Sequence, residues 1–378
     1  MDNLIAANIR QRPIRSLVSV VGVALGVALV MLFTGLARGM SNDLQRRSQN
    51  LRAEIIFTRP GTMDNLTSSP ANLSTKYVEN LQGIDGVESA VPVIRYLFQG
   101  GAGFGFEQVE GVDWEPFAGM NGVSIIEGRA PVARSDEGTS SEEMVEIVID
   151  ETKARNSNTG VGGVLKLFGD IPHRVVGIYA PESGARVKMS LADMQYRVEA
   201  PGKCTYILVK AKDGIDEKAL AQRIDADPGT KGNKIQFTRD VFTSIEKSIP
   251  YLGLFLKVLV GLAAVVSALV VMLAMYTTIT ERTREIGILK AMGASRGYII
   301  GVIEKEAILI SALGLVLGFG VALLAGMLIH RTYGLVFEYG WGWAAASALI
   351  GLLGGAIGAL YPAIRAANLD AVSALSYE

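Results

Sequence analysis

The chain has 378 residues with 36 Lys and Arg against 37 Asp and Glu, so its near-zero net charge gives no reason to expect nucleic acid, and no zinc-finger or aromatic RNA-binding pattern occurs. With 49% hydrophobic residues, 19% charged residues, 43 glycines and a positive mean hydropathy, the composition is unusual for a soluble protein and points to a membrane protein. The lone Cys204 allows no internal disulfide and fits either side of a membrane.

Residues 17–37 (LVSVVGVALGVALVMLFTGLA) carry no charge over the length a helix needs to cross a hydrocarbon core about 30 Å thick. Arg10, Arg12 and Arg15 form a basic flank, as before a secretory signal. The run is longer than the roughly 7–15 residues of a cleaved signal core and GLARGM is a poor cleavage site, so an uncleaved anchor is expected. Residues 38–51 (RGMSNDLQRRSQNL) continue the helix with good helix formers and no proline, as a stalk beyond the bilayer.

The long insert that follows reads as a domain of its own. AEIIFT (53–58), SAVPVIRYLF (89–98), EMVEIVID (143–150), HRVVGIYA (173–180) and CTYILVKA (204–211) are apolar or alternating runs expected as strands, with an amphipathic helix at 216–226 (DEKALAQRIDA), giving a mixed α+β domain. GGAGFGF (100–106) reads as a bulge or turn, since no helical pattern follows to make it a nucleotide loop, and RSDEGTSSEE (134–143) as an exposed loop. DVFTSIEKSIPYLGLF leads into the second span as another stalk, with Pro250 as a kink.

Residues 258–280, 307–329 and 341–364 are three further uncharged runs of spanning length. Orientation follows from Lys and Arg in the short loops: Arg282, Arg284, Lys290, Arg296 and Lys305 crowd the 281–306 connection, whereas the 331–340 loop holds only Arg331. The first connection is therefore expected in the cytoplasm with both chain termini, and the insert outside; Arg38, Arg46, Arg47 and Arg52 sit on a long exported domain, which commonly escapes the charge rule. Glu304, Lys305 and Glu306 open the third helix on the cytoplasmic side and need no partner in lipid; Lys257 can snorkel. This charge pattern is not that of a proton- or sodium-driven pump, and it favours an external energy source.

No catalytic, cofactor or metal site is expected. G-x-x-x-x-G-K-[ST] is absent, and GTKGNK (229–234) has the wrong spacing, so the chain is not expected to hydrolyse ATP itself. No G-x-S-x-G elbow occurs; His173, at a strand start, reads as a packing or surface residue and His330 as an interfacial anchor.

Between the second and third spans lies ERTREIGILKAMGAS (281–295). As a helix it carries an apolar stripe of Ile286, Leu289 and Met292 with Ile288 nearby, and charges at Glu281, Arg284, Glu285 and Lys290, acidic early and basic late as the helix dipole favours. The closing GAS supplies a stop. On these grounds the helix either offers its oily residues to a partner's groove or merely joins two spans along the membrane face.

REIGILKAMGAS resembles the signature of the FtsX-like/MacB-like permease family, the membrane subunits of type VII ABC transporters, whose pattern is approximately E-R-x-R-E-I-G-x-x-[KR]-A-[LMI]-G-A. NIRQRPIRSLVSVVGVALGVAL (8–29) and YPAIRAANLDAVSAL (361–375) are similar to the family's two ends, the second departing from it at Asp370, where proline is common. The resemblance implies an α-helical membrane protein of four transmembrane helices with an α+β extracytoplasmic domain inserted between helices 1 and 2. The expected layout is cytoplasmic 1–16, helix 17–37, exported domain with stalks 38–250, helix 251–280, coupling helix 281–297, helix 298–330, outer loop 331–340, helix 341–364 and cytoplasmic tail 365–378.

It implies further that 281–297 docks on an ABC ATPase subunit dimer, with ATP and magnesium bound there and none by this chain. Glu281, Arg282, Arg284, Glu285, Gly287, Lys290 and Gly293 match the motif; the charged members are expected to meet the partner, Ile288, Leu289 and Met292 to enter a hydrophobic groove, and the glycines to permit close approach. A second permease subunit and a periplasmic adaptor complete the implied partners, in a bacterial inner membrane. The implied work is export of a lipophilic or periplasmic substrate (drug, peptide, haem, lipid or lipoprotein); the rival is a subunit that regulates a cell-wall hydrolase or a kinase without moving cargo. The pairs Gly22/Gly26, Gly314/Gly318, Gly351/Gly355 and Gly354/Gly358 have the spacing that lets backbones meet, within one subunit or across a seam. As the family's subunits pair through helices 1 and 2, Gly22/Gly26 becomes the seam candidate.

Overall fold

The computed structural model describes residues 13–61, 70–99, 106–134, 144–240, 252–333 and 335–369. The chain divides into two compact units, one of Met1–Met40 with Pro250–Glu378 and one of Ser41–Ile249. GGAGFGF apart from its final Phe106, nearly all of RSDEGTSSEE, the second stalk with Pro250, and Asp370 lie outside the described residues.

Helix α1, Pro13–Gln49, carries the first apolar run and continues through Arg46 and Arg47. Its last turns, from Ser41 on, belong to the inserted unit. There follow β1 (Ile55–Thr58), β2 (Leu73–Ser74), α2 (Tyr77–Gln82), β3 (Val87–Gln99), β4 (Phe106–Val112), α3 (Trp114–Asn121), β5 (Ser124–Gly128), β6 (Val145–Asp150), α4 (Glu151–Ser157), β7 (Val164–Leu167), β8 (Ile171–Ala180), β9 (Val187–Ser190), α5 (Leu191–Arg197), β10 (Lys203–Cys204), β11 (Tyr206–Ala211), α6 (Glu217–Ala226) and β12 (Lys234–Phe237).

The strand order is β12-β1-β11-β3-β4-β9-β6-β8-β5, with β7 beside β8 and a separate β10-β2 pair. Strands β4 and β9 run parallel, Glu110 opposite Lys188, where the β12-to-β4 half meets the β9-to-β5 half. Both sheet faces are buried. Ile55, Phe57, Ile147, Ile149, Ile207 and Val209 join one core, which α2, α5 and α6 cover through Leu81, Met194 and Leu220. The alternate residues Ile56, Val148, Tyr206 and Leu208 join another, against Phe117 and Met120 of α3. Successive strand side chains point to opposite faces, so a strand buried on both sides reads as one continuous apolar run, which is why EIIFT and YILVKA were visible in the sequence.

Among the described residues the other unit has four more helices: α7 (Leu252–Glu281), α8 (Thr283–Ala291), α9 (Arg296–Tyr333) and α10 (Trp341–Ala367). Among the described residues, α1, α7, α9 and α10 are long and apolar enough to cross a membrane. Their common core is built from Val23, Val27 and Met31 of α1, Val271 and Met275 of α7, Ile303 and Ala307 of α9, and Ala359 and Ala363 of α10. Leu17, Val18, Leu25 and Leu29 of α1 and Leu262, Val265 and Leu269 of α7 stay exposed, as lipid-facing or partner-facing residues do.

Glycines set the closest contacts. A Cβ at Gly318 would stand 2.7 Å from the Ala24 carbonyl oxygen, and one at Gly358 2.3 Å from that of Ala268. Between α9 and α10, Tyr339 donates its hydroxyl to the Ala322 carbonyl (2.9 Å) and packs against Gly35 and Gly326, while the Glu338 amide donates to the Gly35 carbonyl (3.0 Å).

Candidate functional site

The end of α7 and all of α8 form the candidate site. Thr277, Thr278, Thr280 and Thr283 each return a hydroxyl to a carbonyl three or four residues back, satisfying polar side chains along the last turns of α7 and the break at Arg282. The end of α8 explains GAS. Gly293, at φ +93°, donates to the Lys290 carbonyl and Ala294 to that of Leu289, both at 3.0 Å, the paired bonds of a left-handed glycine stop. The Ser295 hydroxyl then accepts from the Tyr298 amide at 3.2 Å and opens α9. Nothing lies within 4 Å of a Cβ built at Gly293, so glycine there serves the turn rather than a close neighbour.

The expected stripe of Ile286, Leu289 and Met292 does not face one way. Ile286 and Gly287 are buried, Ile286 in the helical core, and Leu289 is half-buried. The outward face holds Arg284, Glu285, Ile288 and Met292, with Ile288 44% and Met292 71% exposed, and Glu281, the last residue of α7, is exposed as well. These positions recur every three or four residues, as one helix face requires. Beside them a groove of about 580 Å³ opens between α7, α8 and α9, lined by Met275, Ile279, Ile288, Leu289, Tyr298 and Val302 among others.

Two charges turn inward. Lys290 donates its ammonium to the carbonyls of Ala367 (2.8 Å) and Leu369 (2.5 Å), closing the end of α10, where a helix presents unpaired carbonyls and partial negative charge. Arg282 lies 3.6 Å from both Glu285 and Glu306, and Glu306 is buried, so this acid enters the bundle with a cation facing it instead of standing free at the membrane surface.

The glycine pairs meet partners in their own chain. A Cβ at Gly22 would lie 2.5 Å from Val270, and one at Gly26 2.5 Å from the Ser267 hydroxyl, both on α7. Gly314 and Gly318 meet α1, Gly351 meets Val27 and Leu315, Gly355 meets Ser311, and Gly354 and Gly358 meet α7. Gly22 and Gly26 thus pack against α7 of their own chain, the first of the two roles expected for them.

The sequence reading missed a buried ionic cluster in the inserted unit. Glu110 and Lys188 are fully enclosed and bonded at 2.7 Å; Arg95 reaches Glu110 at 2.9 Å, and the Tyr206 hydroxyl donates to it at 3.0 Å. Burial pushes the Glu110 carboxyl up, but Lys188 and Arg95 together overturn this and hold it well below the usual carboxylate range. Burial likewise pulls Lys188 down; its ammonium nevertheless has three acceptors, Glu110 and the carbonyls of Ser183 (2.7 Å) and Ala185 (3.1 Å). The only hint was charge inside the short β-prone stretches FEQVEGV and VKMS.

The profile of the MacB-like periplasmic core domain matches residues 16–227 and that of the FtsX-like permease C-terminal domain residues 257–371. With four membrane-length helices among the described residues and an α/β domain between the first two, the chain has the build of a membrane permease. It belongs to the MacB-like/FtsX-like permease family. The macrolide export ATP-binding/permease protein MacB of Escherichia coli is 28% identical over 97% of this chain and 58% of its own length, so the chain spans under two thirds of that relative. The uncharacterized ABC transporter permease YknZ of Bacillus subtilis is 23% identical over 96% of this chain and 95% of its own length. The periplasmic region of MacB from Actinobacillus actinomycetemcomitans aligns with 54% of this chain and 98% of itself, at 19% identity and a TM-score of 0.37.

Proposed function

We propose that the chain is the membrane subunit of a dimeric ABC exporter and passes motion from an ATPase on separate chains to its own extracytoplasmic domain. The observation that carries this reading is the outward face of α8, where two large apolar side chains, Ile288 and Met292, stand exposed beside Glu281, Arg284 and Glu285 at the mouth of a groove. An apolar pair rimmed by both signs of charge suits a cleft on a partner. ATP and magnesium belong to that partner. The ATPase dimer closes, two α8 helices approach, and the long α1 carries the displacement outward.

The setting is a bacterial inner membrane with α8 and both termini in the cytoplasm. The macrolide exporter among the relatives supports a lipophilic cargo; an already exported cargo and a periplasmic adaptor belong to the same reading.

Capture of the tagged full chain in mild detergent, followed by identification of what travels with it, tests the reading. An ABC ATPase should co-purify with the unaltered chain and be lost from Ile288→Asp, which puts a charge on an exposed position and spares the fold. Retention of the ATPase by Ile288→Asp would overturn the docking face. An ATPase accompanied by a cell-wall hydrolase or a kinase would replace export by regulation.

A further inference from the structure

The segment 182–186, between β8 and β9, is bonded from two sides. The end of α1 and the residue after it hold two of its carbonyls: Asn50 donates to Glu182 (2.6 Å) and Arg47 to Gly184 (2.9 Å), while the Arg186 carbonyl accepts from the Asp150 amide (2.9 Å). The sheet core holds the odd-numbered carbonyls, with Lys188 donating to Ser183 and to Ala185, and the Tyr179 hydroxyl to Ala185 (2.7 Å). The Ala185 amide donates to Glu110 at 3.0 Å. Gly184, at φ +60°, is pressed so closely that a Cβ would lie 2.4 Å from the Glu110 carboxylate. Arg186 completes the set, pairing with Asp43 of α1, with the fully buried Asp150 at the end of β6 (2.9 Å) and with Glu182 (3.5 Å). The left-handed turn at Gly184 lets this short strip be bonded to helix and core at once.

The core groups it touches are not scattered. Glu110 and Lys188 face each other across the parallel β4–β9 pair, where the two halves of the sheet meet. We propose that segment 182–186 is a mechanical joint: it ties the end of α1 to the line between the two sheet halves, and displacement of α1 turns one half against the other, with Arg47, Asn50 and Arg186 as its positioning residues. This rests on the reading that α1 moves when the partner ATPase turns over, and adds where that motion enters the domain. Polar bonds suit such a joint better than apolar packing, because they hold direction as well as proximity.

The test uses the full chain with its captured ATPase in nanodiscs, spin-labelled at Glu88→Cys on β3 and Lys166→Cys on β7, one site in each half. Cys204 is buried and its thiol is pushed up to about 12 by burial, so it leaves little background labelling. ATP with vanadate should change the label separation in the otherwise unaltered chain. Arg47→Met with Asn50→Ala and Asp43→Ala, which together cut the side-chain bonds from the helix side and leave Asp150 paired with Arg186, should abolish the change while ATP turnover and near-ultraviolet circular dichroism stay as they were. Persistence of the full change in that variant overturns the joint, as does a parent chain that turns over ATP with no change in separation; in the second case docking stands.

If no ATPase is captured, the underlying reading fails on its own, and the joint is judged in the chain alone by amide exchange. Asp43→Asn should then raise exchange at the Gly111 and Lys188 amides roughly tenfold and spare the β1–β12 ladder. Unchanged exchange at Gly111 and Lys188 overturns the joint.

Discussion

Lys290→Met should loosen the end of α10 and leave the outward face of α8 untouched. The side chain belongs to the family signature, yet its ammonium lies on the carbonyls of Ala367 and Leu369. Methionine keeps most of the apolar stem and removes the charge. A hydrogen bond from a charged donor contributes about 1.5–3 kcal/mol and a cation at a helix C-terminus about 0.3–1 kcal/mol. Lys290 is half-buried and solvent can replace part of its bonding, so the low end applies, about 1.5–2 kcal/mol. That equals roughly a ten- to thirtyfold rise in local opening. Hydrogen exchange of the Asn368 and Leu369 amides, which donate to Ile364 and Ala366, reads it directly. Capture of the ATPase should survive. Unchanged exchange, or loss of capture equal to that of Ile288→Asp, would show that Lys290 serves the partner and that its intrachain bonds are incidental.

Gly318→Val should lower the thermal midpoint of the detergent-purified chain by an amount corresponding to about 1–3 kcal/mol, because the new Cβ meets the backbone oxygen of Ala24. Gly320→Val on the same helix, with nothing within 4 Å, is the control and should differ little; equal effects would refute the close contact. Glu110, held below its ordinary range in the fold, contributes stability that is complete above the unfolded carboxyl value and is lost as pH falls through that value toward the folded one. The midpoint of the inserted domain in the full chain should therefore drop between about pH 5 and 3, and Glu110→Gln should flatten that slope. An unaltered slope would mean that the cluster does not bind its charge as described.

Length alone made the four membrane helices legible, since charge-free runs of spanning size rarely arise outside a bilayer. Their ends were not, because amphipathic turns add to them: α9 starts at Arg296, well before its apolar run, and carries Glu306 into the bundle on the strength of Arg282. Strands β1 and β11 were visible as apolar runs, whereas β9 was hidden by Lys188, whose countercharge on β4 is distant in sequence. The connector was recognisable by its charges, but Ile286 and Ile288 are equivalent on paper, and only the packing of α8 decides which one points outward. Glycine spacing foretold where backbones meet and gave no information about whose backbone lies opposite; Gly22 and Gly26 found theirs on α7.

The connection of Glu338 and Tyr339 to α1 at Gly35 restricts what that helix can do. With the Gly35 carbonyl already held sideways by the Glu338 amide and Tyr339 lodged against the same glycine, spinning about the long axis would break the bond and eject the ring. The helix is keyed, in the way a shaft is keyed to its collar. Turning or sliding α1 on its own is opposed by the same contact, so α1 and residues 338–339 are expected to move as one piece.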